Sequence, residues 1–143
     1  MANIERVLVR AKGKIVNRER KEKREVWTVE NINQPGLQRC LFTFFDGSLI
    51  QLELQYEYPD RNIEWYNQRI HDIRTYWDAK FGIPGKLITR SRDLDSDVIQ
   101  TLLGYQWIVG QTTLELFYFS AEHDKQFFRT ISYTYKAPFP GSR

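Results

Sequence analysis

Residues 60–84, DRNIEWYNQRIHDIRTYWDAKFGIP, form the one long stretch of this sequence with a clear helical pattern. Its apolar side chains recur at spacings of three and four residues: Ile63, Tyr66, Ile70, Ile73, Trp77 and Phe81. That spacing places them on one face of an α-helix. Asp60 or Asn62 can cap the first turn, and Gly82 followed by Pro84 can end the last one. The stretch therefore predicts a long amphipathic helix that covers a sheet.

The composition is that of one folded unit. The chain has 143 residues, of which 41% are hydrophobic and 15% aromatic, enough for a packed core. No run approaches eighteen apolar residues, and the first residues lack the apolar core of a signal peptide. We expect one compact, soluble domain over residues 1–143, cytoplasmic by default or exported if a leader has been removed. The single cysteine, Cys40, excludes an internal disulfide and is expected to be a buried thiol.

Most of the chain outside the long helix shows strand patterns separated by turns. We predict strands over 14–17, 26–29, 37–44, 48–58, 86–89, 105–109, 113–120 and 126–136. Residues 2–12 fit a short helix or a strand, and 98–103 fit a strand or a helical turn. Residues 91–97 are predicted to form an acidic loop, and residues 121–125 a polar loop.

The clearest hairpin lies around Asp46 and Gly47. A two-residue turn would scatter the apolar side chains, whereas a three-residue loop of Phe45, Asp46 and Gly47 pairs even positions with even ones. Burial of one face fixes register, so we predict the three-residue loop. It would gather one apolar face: Cys40, Phe42, Ile50, Leu52 and Leu54.

Two short segments echo each other. Residues 13–20 read GKIVNRER and residues 85–92 read GKLITRSR, and each is followed by a Trp two residues before a Val. This similarity indicates a tandem duplication of a helix-plus-four-strand unit, with units at 1–58 and 60–137. The fold class we predict is α+β, with an antiparallel sheet, or two abutting sheets, packed on one long central helix.

Tandem helix-plus-four-strand units resemble the architecture of β-lactamase-inhibitor-like proteins and of small outer-membrane assembly lipoproteins. The resemblance lies in the order of the elements alone, and no functional residue is carried over from it. Families with that layout mostly bind other proteins, so the resemblance implies a binding role.

Residue patterns for catalysis or metal binding are weak. His71-Asp72 and His123-Asp124 are the only His-Asp pairs, and neither has a third ligand at a suitable spacing. Asp93, Asp95 and Asp97 alternate as in a calcium loop, but the glycine and glutamate that such a loop requires are missing. We therefore predict no enzyme, no metal site and no cofactor.

A basic segment follows the first predicted strand, and its cations are Arg18, Arg20, Lys21, Lys23 and Arg24. The net charge is only +3, and Glu19, Glu22 and Glu25 are interleaved with these cations. A charged edge that prevents strand-to-strand aggregation explains them better than a phosphate-binding surface. Nucleic-acid binding through this patch is kept as an alternative to the functions below.

The aromatic content exceeds what one helix face must cover. Trp65 and Tyr76 lie at the flank of the apolar stripe, with Arg69 beside them, and half-exposed aromatics are common interface anchors. Our leading hypothesis is a non-enzymatic protein-interaction module that binds through Trp65, Arg69 and Tyr76, with self-association left open. The alternative is a binder of a small apolar ligand in an aromatic-lined cleft between helix and sheet.

Overall fold

The chain alternates one helix with four strands, twice. The structure, a computed structural model, describes residues 2–95, 98–123 and 126–137. Its first five elements are α1 (Ala2–Arg10), β1 (Lys14–Lys21), β2 (Arg24–Glu30), β3 (Leu37–Phe45) and β4 (Ser48–Tyr56). The next five are α2 (Ile63–Phe81), β5 (Lys86–Asp95), β6 (Val98–Val109), β7 (Thr112–His123) and β8 (Gln126–Lys136). The α+β class is therefore confirmed.

All eight strands form one antiparallel sheet in the order β1-β2-β3-β4-β8-β7-β6-β5. The last strand of each half, β4 or β8, lies in the middle of the sheet, and the first strand, β1 or β5, lies at an edge. The antiparallel sheet is as predicted, and it is continuous rather than split in two. The pairing of β4 with β8 joins the two halves of the chain.

Both helices cover the same face of this sheet. Phe42 pairs with Leu52, Leu52 with Tyr135, and Tyr135 with Leu114, so these side chains form one row across four strands. Phe42 belongs to a core cluster with Leu8 of α1, whereas Leu114 belongs to a cluster that contains three α2 residues. The two clusters meet over the middle strands of the sheet.

The helix α2 follows from its local sequence. The Asn62 side chain accepts a hydrogen bond from the Trp65 amide at 2.9 Å, and Gly82 ends the helix at φ +70°. Tyr66, Ile70 and Ile73 are buried, while Ile63 at the start of the stripe is exposed. The nine residues of α1 also form a helix, with Leu8 buried against the first half of the sheet.

A single carboxylate fixes the C-terminal end of α2 to the sheet. Asp78 Oδ1 accepts hydrogen bonds from the Gly85 amide at 2.7 Å and from the Trp107 indole Nε1 at 2.9 Å. Gly85 and Trp107 are both buried, so their N–H groups have little access to water. Asp78 therefore sets the position of α2 over the second half of the sheet.

The predicted loop between β3 and β4 was wrong. Phe45 pairs with Ser48, and Asp46 and Gly47 form a two-residue turn with φ values of +51° and +81°. A register shift after Thr43 then pairs even positions with even ones farther along the hairpin, as predicted, but Phe42 pairs with Leu52 rather than with Ile50 as the three-residue loop requires. The predicted face is therefore correct except at its end, where Leu49 rather than Ile50 joins the core.

Two other predicted loops were also wrong, since strands run through most of them. Strand β5 continues to Asp95, so Asp93 and Asp95 lie in a strand rather than in an acidic loop, and Asp97 lies outside the described residues. Strand β7 continues to His123, so residues 121–123 of the predicted polar loop lie in a strand, and residues 124 and 125 lie outside the described residues. These hairpins are long because β5 pairs with β6, and β7 with β8, along nearly their whole lengths.

Neither of the described helices is long and apolar enough to cross a membrane.

Candidate ligand-binding cleft

A cleft of about 510 Å³ opens between α2 and the middle of the sheet. Strands β4 and β8 form its floor, α2 forms one wall, and the β2–β3 connection closes one side. Its lining is mostly aromatic and aliphatic: Gln34, Pro35, Leu54, Tyr56, Tyr58, Trp65, Arg69, Ile73, Trp77, Ile131, Tyr133 and Tyr135. The cleft therefore lies over the β4–β8 pair, where the two halves of the chain meet.

One end of the cleft is a cluster of packed rings. Trp65 lies with its ring centroid 4.7 Å from that of Tyr58 and 5.3 Å from that of Tyr66. The Tyr66 hydroxyl accepts a hydrogen bond from the Tyr58 amide at 2.8 Å and donates one to the Tyr58 carbonyl at 2.9 Å. These bonds hold the segment after β4 against the start of α2, so the rings at this end are preorganised.

The other end of the cleft is formed by Trp77. Its ring stacks on Phe81 with a centroid distance of 5.3 Å and meets Tyr135 edge-on at 6.5 Å. Between the two ends, the floor carries Tyr56 and Tyr133, whose rings meet edge-on at 5.6 Å. The cleft thus has aromatic rings at both ends and tyrosine side chains between them.

The tyrosine hydroxyls of the floor stay protonated at physiological pH. Burial raises the pKa of Tyr56 to about 12. Burial also raises the pKa of Tyr133, and the nearby Arg69 guanidinium, which acts in the opposite direction, only partly offsets it. Both hydroxyls can therefore donate hydrogen bonds to a ligand.

Among the described residues that line the cleft, Arg69 is the one that carries a charge. It also borders a smaller hollow of about 300 Å³, which is lined by Arg69, Asp72, Ile73, Tyr76, Trp77 and Tyr133. The two hollows share four residues and form neighbouring parts of one surface along α2. Asp72 lies in the smaller hollow only, where its carboxylate accepts a hydrogen bond from Gln68.

The structure separates the residues that the sequence grouped at the flank of α2. Trp65 and Arg69 line the cleft, with Trp65 half-buried in its wall. Tyr76 is 56% exposed and lies in the smaller hollow instead. Their role in binding a partner stays a prediction. The floor tyrosines Tyr56 and Tyr133 were missed as site residues. The sequence signal for Tyr133 is that Tyr133 and Tyr135 are separated by one polar residue, which places both on one face of β8.

The five basic residues of the predicted patch lie on the β1–β2 hairpin, and their side chains are exposed. Arg18 packs over the Trp27 ring at 4.5 Å and lies 3.4 Å from Glu5 of α1. None of the five lines the cleft. Binding of nucleic acid through them stays a prediction.

The histidines lie apart from the cleft. His71 is on the exposed side of α2, and His123 is at the end of β7; Asp124 lies outside the described residues. Within residues 2–95, 98–123 and 126–137, no three His, Cys, Asp or Glu side chains come close enough to hold a metal ion.

Comparison with known proteins gives no match to a family model, a curated protein or a solved structure. The geometry of the cleft is therefore the basis for the functional argument.

Proposed function

We propose that this protein binds a small, largely apolar ligand in the cleft between α2 and the β4–β8 pair, without chemical conversion of that ligand. The observation that carries the proposal is the cleft itself, whose described lining has aromatic ends, a floor of aliphatic and tyrosine side chains, and one cation. Its volume of about 510 Å³ falls in the range that is typical of small-molecule sites.

The expected affinity follows from the area that such a ligand buries. About 400 Å² of apolar surface removed from water contributes about 10 kcal/mol. Loss of translational and rotational freedom offsets at least about 4 kcal/mol of this. The remainder, at most about 6 kcal/mol, corresponds to a dissociation constant of about 40 μM or weaker for a ligand without polar contacts.

Binding without catalysis is supported by the chemistry of the lining residues. A general acid and base must both reach the substrate, but Arg69 is the one ionised group among the residues that line the cleft. The tyrosine hydroxyls have raised pKa values, which suits hydrogen-bond donors better than proton acceptors.

Filling the floor of the cleft is expected to block binding. Leu54→Trp adds a large ring at the floor, and we expect it to weaken binding of the fluorescent probe N-phenyl-1-naphthylamine about tenfold or more. Fluorescence titration of the probe into wild type and variant measures this effect.

Leu41→Trp is the matched control. Leu41 pairs with Glu53, and both alternate with the residues of the helix-covered face, so the same substitution falls on the opposite side of the sheet. We expect this control to bind the probe within about twofold of wild type, while circular dichroism verifies that both variants fold. Equal binding by Leu54→Trp and wild type would contradict the proposal.

A protein-interaction module is the second candidate. Tyr76 supports it, because its ring is 56% exposed on α2 and the Lys80 ammonium lies 5.8 Å from the ring centroid. The position of Trp65 supports binding of a small ligand over binding of a protein, because its ring lies in the wall of the cleft and does not protrude. A Tyr76→Ala variant that kept full probe binding but lost a captured partner would favour the second candidate.

We also propose that the chain is a tandem duplication, with the cleft at the junction of its two units. The strand order supports this, since β1–β4 and β5–β8 are arranged symmetrically about the β4–β8 pair. Trp27 on β2 and Trp107 on β6 are both 1% exposed and occupy the second strand of each half. Superposing the halves of an experimental structure is expected to place Trp27 on Trp107. A best superposition that aligned other strands would contradict the duplication.

A further inference from the structure

We infer that the ligand of the cleft is a flat aromatic or conjugated molecule with one anionic group, which pairs with Arg69 while the ring system lies against Trp65 and Trp77. This inference rests on the proposed function, since it assigns the chemical class of the ligand for the same cleft. Three features of the structure support it.

The first feature is that the Arg69 side chain is available to a ligand. Arg69 is exposed and borders both hollows along α2. Within the part of the chain that the structure describes, it forms no ion pair and no hydrogen bond. A guanidinium group with its five N–H donors unpaired at the mouth of an apolar cleft is suited to a carboxylate or a sulfonate.

The second feature is the positive surroundings of the two tryptophans. The Arg61 guanidinium lies 5.3 Å from the ring centroid of Trp65, and the Lys80 ammonium lies 5.8 Å from that of Trp77. The described lining of the large cleft contains no carboxylate, and Asp72 belongs to the smaller hollow. Positive charge is therefore present at the middle of the cleft, from Arg69 in its lining, and beside the rings at its two ends, from Arg61 just before α2 and Lys80 near the end of α2.

The third feature is the pair of floor tyrosines. Tyr56 and Tyr133 lie on β4 and β8, and their hydroxyls remain donors at neutral pH. The Tyr133 hydroxyl is near enough to Arg69 for the guanidinium charge to act on its pKa. An anionic group at Arg69 can thus accept a further hydrogen bond from the floor, and such convergent donors fix the orientation of a ligand.

Two probes with one aromatic skeleton test the inference. 8-Anilino-1-naphthalenesulfonate carries a sulfonate, whereas N-phenyl-1-naphthylamine has the same two ring systems without it. We expect Arg69→Met to weaken binding of the sulfonate probe about tenfold or more. The affinity for the neutral probe should stay within about twofold of wild type. Arg69→Lys, which keeps the charge but loses the planar fork of donors, is expected to lie between wild type and Arg69→Met.

Arg39→Met is the matched control for the loss of one positive charge. Arg39 is exposed and pairs with Gln55 on the side of the sheet opposite the helices, so both probes should bind this variant as they bind wild type. Raising the salt concentration should weaken binding of the sulfonate probe to the wild-type protein and have little effect on its binding to Arg69→Met.

The possible outcomes separate this inference from the function on which it rests. If Arg69→Met leaves the affinity for both probes unchanged, or lowers both affinities equally, the assignment of an anionic ligand is overturned. Weaker probe binding by Leu54→Trp would in that case still support the cleft as the binding site. If neither probe binds wild type, or if Leu54→Trp has no effect on either probe, both proposals fail together.

Discussion

Asp78→Ala is expected to lower the free energy of unfolding by about 3 kcal/mol. The substitution removes the acceptor for the Gly85 amide and for the Trp107 indole N–H, which lie 2.7 and 2.9 Å from Asp78 Oδ1. Each donor is then buried without its partner, and such a donor costs about 1–3 kcal/mol. The Asp78 side chain is 32% exposed, so partial access of water keeps the total below the sum of two full penalties.

Urea denaturation followed by tryptophan fluorescence measures this loss. Asp78→Asn retains one carbonyl oxygen and is expected to lose only about 1 kcal/mol. Asp72→Ala removes a carboxylate from an exposed position on the same helix and should change stability by less than about 0.5 kcal/mol. An Asp78→Ala variant as stable as Asp72→Ala would show that this carboxylate does not hold α2 in place.

Gly85→Ala is expected to destabilise the fold by about 2–3 kcal/mol through overpacking. A Cβ atom at Gly85 would lie 2.6 Å from Cζ2 and 2.7 Å from Cε2 of Trp107. The Trp107 ring is 1% exposed and is tied to Asp78 through its indole N–H, so it cannot move away easily. Either the strand or the ring must shift, and both lie beneath the end of α2.

Gly13→Ala is the matched control, because Gly13 precedes β1 as Gly85 precedes β5. A Cβ atom there would meet aliphatic side-chain atoms of Val29, Ile32 and Leu8 at 3.2–3.4 Å, so a shift of a few tenths of an ångström would relieve the contact. We expect a loss below about 1 kcal/mol for Gly13→Ala in the same denaturation experiment. Equal losses for the two variants would contradict the tight contact between Gly85 and Trp107.

Local sequence signals predicted the parts of the fold that depend on neighbours along the chain. The apolar spacing from Ile63 to Phe81 and the caps at Asn62 and Gly82 predicted α2, since helical hydrogen bonds and caps are local. At the β3–β4 hairpin, burial of one face correctly predicted which residues lie together. The predicted turn was wrong, because a two-residue turn with a bulge after Thr43 also pairs even positions with even ones beyond the bulge, as a three-residue loop does.

The cleft depends on contacts between residues far apart in the sequence. Its floor exists because β4 pairs with β8, and no local pattern in either strand specifies its distant partner. Trp65 and Arg69 were predicted as candidate contacts from their position beside the apolar stripe of α2. Tyr56 and Tyr133 were not, because alternating tyrosines in a strand are as typical of a packed core as of a ligand site.

The indole N–H signals of the four tryptophans report directly on whether a ligand binds in the cleft between α2 and the β4–β8 pair. Trp65 and Trp77 line the cleft, whereas Trp27 and Trp107 are each 1% exposed and do not. In a ¹⁵N–¹H spectrum, with each signal assigned by a Trp→Phe variant, N-phenyl-1-naphthylamine is titrated into the wild-type protein. If the probe binds in the cleft, the signals of Trp65 and Trp77 shift saturably while those of Trp27 and Trp107 stay unchanged. Shifts of Trp27 or Trp107 without shifts of Trp65 and Trp77 would contradict binding in the cleft.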